Sequence, residues 1–133
     1  MATSRVINPW TWSEALGFVQ VVESRDVARI VHLAGQTSSD DDGKPLHPGD
    51  MGAQVTQALD NVEKLLKAAG LSLADVTRMN YYTTDVDGFF AVQQTHLVPR
   101  LNAAGCRSCG SLLGVTRLAS PEALVEIEAT AVA

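Results

Sequence analysis

The sequence predicts an α+β domain in which one mixed β-sheet carries two helices on a single face, in the order ββαβαββ. Three observations predict it. Short apolar and β-branched stretches come in groups rather than in strict alternation with helices. Two longer segments repeat apolar residues at three- and four-residue spacing, as helices that bury one stripe do. The 133 residues, 46% apolar and 19% charged, fit a single domain spanning 1–133, and a chain of that length buries about two thirds of its unfolded surface in one core.

From Gly17 to Gln36, two apolar runs flank the polar Glu23 to Asp26, which predicts a β-hairpin. Residues 37–50 gather Ser, Asp, Gly and Pro and read as an exposed loop. The Asp40 to Asp42 run inside it lacks the spacing of a calcium loop and reads as a solvated turn. Met51, Val55, Ala58, Leu59, Val62, Leu65 and Leu66 predict a helix over residues 50–69, stopped by Gly70. Arg78 to Thr84 alternates through Met79, Tyr81 and Thr83 as a strand does. A second helix starts near Asp85, carries Phe89, Val92, Thr95, His96 and Leu101, and ends at Gly105. Ser111 to Arg117 and Ala123 to Ala131 are the last strands, parted by Ala119 to Glu122.

With both helices on one face, the other sheet face needs cover. The strands read as apolar on both sides, so other copies of the chain are expected to bury it, making a homo-oligomer. In the last strand, Val125, Ile127 and Ala129 share one side, and Leu124, Glu126, Glu128 and Thr130 the other. Two carboxylates on a covered face are either paired, with arginines of neighbouring chains or solvent at a sheet edge, or serve as general acid and base. Both readings stand at this level.

The formal net charge of −5, with ten Lys and Arg spread thinly, offers no basic stripe for nucleic acid. The N-terminus has no apolar run behind a basic segment, and no stretch reaches the length of a membrane span, so a soluble, cytoplasmic protein is expected. Cys106 and Cys109 have dithiol spacing, but redox pairs open a helix after a strand and these lead from a helix end into a strand. Incidental small residues are the better reading. His32, His47 and His96 lack zinc spacing, and no serine sits in a nucleophile elbow, so no metal site and no hydrolase triad is expected.

Leu33-Ala-Gly-Gln36, Gln57-Ala-Leu-Asp-Asn-Val62, Ala68-Ala-Gly-Leu71, Tyr82-Thr-Thr-Asp85 and Leu124-Val-Glu-Ile-Glu-Ala129, in that order, resemble the YjgF/RidA family, also called L-PSP endoribonuclease-like, over about residues 17–132. The resemblance implies a chorismate-mutase-like fold and a trimer with a central β-barrel and clefts between subunits. It implies hydrolysis of reactive enamines and imines, such as 2-aminoacrylate, to a keto acid and ammonia with no cofactor. In deaminase members a last-strand glutamate positions or activates water, and it falls on Glu126. An arginine that binds the substrate carboxylate falls on Gly110, so this chain resembles an arginine-lacking branch. Other cleft positions fall on Phe18 for a tyrosine, Ala34 for a serine before Gly35, Gln93 for an asparagine, and on Leu112. Loss of the clamp costs about 2–5 kcal/mol in recognising an anion, which makes simple amino-acid imines poor substrates. The expectation is a deaminase of another C=N compound; the alternative is a non-catalytic trimer that binds a small molecule or acts as a chaperone. A ribonuclease contends with the acidic charge.

Overall fold

The computed structural model describes residues 1–133. An antiparallel ribbon of β1 (Thr3–Ile7) and β2 (Val21–Arg25) pairs Val6 with Val22, and a 3-10 turn at Trp12–Leu16 joins the strands. There follow β3 (Ile30–Thr37), α1 (Met51–Ala68), β4 (Val76–Thr83), α2 (Val86–Val92), α3 (Val98–Ala103), β5 (Leu112–Gly114) and β6 (Val125–Val132). The main sheet runs β3-β6-β4-β5, with β4 and β5 parallel and the other pairs antiparallel.

Asp50 starts α1 by accepting a hydrogen bond from the Ala53 N–H at 3.0 Å. Its stripe of Val55, Ala58, Leu59, Val62 and Leu66 is fully buried and packs on β3 and β6. Leu65, expected in that stripe, lies outside it and is half-exposed. In β6 the alternation is complete: Val125, Ile127, Ala129 and Ala131 are buried, and Glu126, Glu128 and Thr130 stand on the open side. Gln54 ties α1 to the start of β6. Its Nε2 donates to the carbonyls of His47 and Glu122, both at 3.0 Å, and its Oε1 accepts from the Leu124 N–H at 2.8 Å.

Several expectations change. β2 and β3 form no hairpin, because Asp26 turns left-handed (φ 54) and the Ala28 and Arg29 N–H groups bond to the Ala133 carbonyl, which steers β3 onto β6. β2 pairs instead with β1, a strand missed in the sequence, so the order gains one strand at the start. The second helix is one run with a π turn at Gln93–Leu97 between α2 and α3. The strand expected to reach Arg117 stops at Gly114, where the Arg117 side chain instead caps the carbonyls of Leu118 and Ala119. The open face is mainly polar, carrying His32, Arg78, Asn80, Tyr82, Glu126, Glu128 and Thr130, with Ile30 and Leu113 exposed on its edge strands. No helix is long and apolar enough to cross a membrane.

Candidate functional site

The two carboxylates of β6 have different surroundings. Glu128 accepts from the Tyr82 hydroxyl at 2.5 Å and from the Asn80 amide at 3.1 Å. The Tyr82 hydrogen bond, then the Asn80 one, holds its pKa below the ordinary carboxylate value, and the same bond raises that of Tyr82. Arg78 faces the pair, and His32 shares a 3.2 Å hydrogen bond with Thr130. Glu128 is thus the paired carboxylate that the sequence left open. Glu126, between Thr37 of β3 and Tyr82 of β4, takes part in no ion pair or side-chain hydrogen bond of the chain.

A bulge shapes the ground beside Glu126. Between Leu33 and Gln36 the register slips, so Ala34 and Gly35 together face one residue of β6. Bulges of this kind re-aim side chains beside functional sites. The Glu126 side chain lies across Gly35: a Cβ there would come within 2.8 Å of Cδ. Gly35 is needed for that close approach rather than for its dihedral freedom.

Phe18, Gln93, Gly110 and Leu112 come together elsewhere, around a recess of about 210 Å³ at the β5 edge. Leu112 is level with Tyr81, whose ring packs against Phe89 with centroids 5.5 Å apart on the helix side. The π turn begins at Gln93, and the Gln93 Nε2 donates to the Leu16 carbonyl at 3.0 Å. A wide turn of this type often marks a functional position. Gly110 admits no side chain, since its Cβ would run into the Met79 main chain, 2.7 Å from the carbonyl carbon.

Within one chain, therefore, Ala34, Gly35 and Glu126 lie on the open face of the sheet, and Phe18, Gln93, Gly110 and Leu112 on the helix side. Neither Arg107 nor Arg117 lines the recess. Arg107 pairs with Glu14 on the far side of Phe18. Burial pushes the Cys106 thiol up to about 11, with a smaller opposing effect from Ser108, and Cys109 bonds to the Thr77 carbonyl. A thiol held protonated is a poor nucleophile, which speaks against a redox dithiol. Asp40 closes its own turn, accepting from the Asp42 and Lys44 N–H groups at 2.9 Å. The sequence reading missed Leu16, Tyr81 and Phe90 of the recess and the Tyr82 and Asn80 partners of Glu128. Same-face parity with Glu128 along Arg78 to Thr84 was the available signal for the last two.

The sequence profile of the family described as Endoribonuclease L-PSP matches residues 12–133. A relative, the 2-iminobutanoate/2-iminopropanoate deaminase of Escherichia coli strain K12, is 36% identical over 88 residues, 64% of this chain and 66% of that protein. The crystal structure of a Rid-family protein of unknown function from Yersinia pestis is 34% identical, with a TM-score of 0.87 over 98% of both chains. That of Escherichia coli TdcF with bound serine is 29% identical, with a TM-score of 0.71 over 81% of this chain and 84% of the other. A profile that spans β2, both helical runs and the main sheet, with relatives matching in fold and sequence, settles the descent: the chain belongs to the YjgF/RidA family.

Proposed function

We propose that the protein is a cytoplasmic, homotrimeric imine deaminase whose clefts join the Glu126 side of one copy to the Phe18 recess of the next. The observation that carries this reading is the contrast on β6: Glu128 is engaged inside the chain, whereas Glu126 is unengaged beside a bulge glycine that makes room for it. The deaminase relative adds support for the reaction class. A split site also gives a reason for assembly that the polar open face does not.

In the reaction, Glu126 takes a proton from water as the water oxygen attacks the imine carbon, and the C=N π pair moves to nitrogen. Glu126 returns the proton to that nitrogen. The hydroxyl proton of the carbinolamine then passes through Glu126 to the amine nitrogen, the oxygen pair forms the C=O bond as the C–N bond breaks, and the carbonyl and ammonia leave. Water is the only co-reactant, so no cofactor is required. A simple amino-acid imine is a poor candidate because the position of the clamp is Gly110 and the recess has no cation.

Ammonia release from imines made in situ tests the assignment. Loss of a general base costs about 10²–10⁴-fold, so Glu126→Gln should fall by that much and Glu128→Gln by far less. Equal losses, or an active Glu126→Gln, would overturn the role of Glu126. A second reading, a non-catalytic trimer that binds a small molecule or an unfolded segment, is favoured by the apolar recess; saturable binding without turnover would support it.

A further inference from the structure

We infer that the Phe18 recess receives an aryl group, so that the substrate is an imine with an uncharged aromatic side chain, an inference that rests on the deaminase reading. Size comes first. The recess measures about 210 Å³, and a cavity of roughly 150 Å³ walled by Leu, Ile and Phe stays dry and takes up benzene. A methyl side chain would leave most of that volume unfilled.

The walls agree with the size. Leu16, Phe18, Phe89, Phe90 and Leu112 supply apolar surface, and no Lys, Arg, Asp or Glu lines the recess. A charged side chain entering it would shed water with no partner. The rings are already set edge to face: Trp12 meets Phe18 at 5.8 Å and 85°, and Phe89 meets Phe90 at 6.4 Å and 62°. An added ring can join that arrangement. Phe90 is 53% exposed at the mouth, an apolar rim of the kind that marks a binding site.

Besides the Ser108 and Ser111 hydroxyls, two polar atoms of the recess walls are available to the occupant. Gln93 is only 9% exposed, and its amide nitrogen is committed to Leu16 while its oxygen is not. The Tyr81 hydroxyl has only the Met79 thioether at 2.9 Å, a weak acceptor, and burial raises the phenol so that it stays neutral. Together they suit one hydroxyl or N–H on the ring, as in a phenol or an indole.

Calorimetric titration with phenylpyruvate and pyruvate, which differ only by the phenyl group, tests the pocket directly. Phenylpyruvate should bind roughly tenfold to a hundredfold more tightly, as burying one Phe-sized group predicts. Leu112→Trp, which fills the recess, should erase the preference, and the rim change Phe90→Ala should weaken it severalfold. Equal affinities, or a preference that survives Leu112→Trp, would overturn the assignment. The imines of phenylalanine and alanine, made by an amino-acid oxidase, separate the two claims. Preferential phenylpyruvate binding with no Glu126-dependent hydrolysis of these imines or of a carboxylate-free aryl imine, such as that of phenylacetaldehyde, keeps the aryl pocket and ends the deaminase reading. Glu126-dependent hydrolysis of the alanine imine alone keeps the deaminase and ends the aryl pocket.

Discussion

Replacing Gly35 with alanine separates the place of Glu126 from the stability of the sheet. Gly35 is not among the residues of positive φ, so alanine can take its backbone. The new methyl would meet Cδ of Glu126 at 2.8 Å and Cγ at 2.9 Å, closer than side chains pack. What must yield is the end of a flexible side chain, and a displaced rotamer costs about 0.5–1.5 kcal/mol. Over 133 residues, with an unfolding entropy of about 2.1 cal/mol/K per residue, that lowers Tm by roughly 2–5 °C. The effect on chemistry is larger, because a misplacement of about 1 Å in a catalytic group costs about a hundredfold. Thermal unfolding and ammonia release would be measured on Gly35→Ala, on Glu126→Gln and on the double variant. The expected pattern is a folded Gly35→Ala with activity down about a hundredfold and, since both changes act through one carboxylate, little further loss in the double variant. Full activity in Gly35→Ala, or independent additive losses, would refute the reasoning.

Gln54→Leu should lose about 3 kcal/mol, for three hydrogen bonds of about 1 kcal/mol each around a nearly buried amide; denaturant unfolding checks it, and a loss below about 0.5 kcal/mol would contradict the brace. Glu128 has a folded pKa below its unfolded one, so its contribution to stability is present above the unfolded pKa and fades as pH falls through the folded value. Tyr82→Phe removes the largest cause of that shift and should flatten the acid limb of stability against pH; an unchanged limb counts against the pair. Gly110→Arg should not restore a carboxylate clamp. Its side chain cannot leave the β4–β5 edge without moving the Met79 main chain, so the variant should be destabilised by at least about 1 kcal/mol, with no gain in binding of pyruvate.

The helix α1, the strand β4 and the alternation of β6 were legible because each has a strong period and one clearly apolar side. Met79 and Tyr81 point inward and Val125, Ile127 and Ala129 follow the helices, as their spacing requires. Pairing was not legible in the same way. Whether β2 meets β1 or β3 depends on one left-handed residue and on hydrogen bonds to Ala133, more than a hundred residues along the chain. Period counting also missed the π turn, whose extra residue presents Gln93 to the recess.

At the site, parity placed Glu126 and Glu128 on one face but could not tell them apart. The difference lies in Tyr82 and Asn80, which reach Glu128 across strands. Parity likewise could not show that Glu126 and the Phe18 recess lie on opposite sides of one sheet. The open face expected to be apolar is mainly polar, with Tyr82, for one, turning its hydroxyl toward a carboxylate, and its exposed apolar groups, Ile30 and Leu113, lie on the edge strands β3 and β5. Of the exposed apolar side chains, Leu16 and Phe90 line the recess and Trp12 packs on Phe18 beside it.

The central claim is that a working cleft takes Glu126 from one copy and the Phe18 recess from another. Subunit complementation tests it most directly: Glu126→Gln and Leu112→Trp chains, each inactive as a pure oligomer, are co-expressed in equal amounts and assayed for ammonia release. Random mixing leaves about one cleft in four with both parts intact, so the mixed oligomers should regain about a quarter of wild-type activity. Mixed oligomers that stay as inactive as either parent would contradict a site shared between copies.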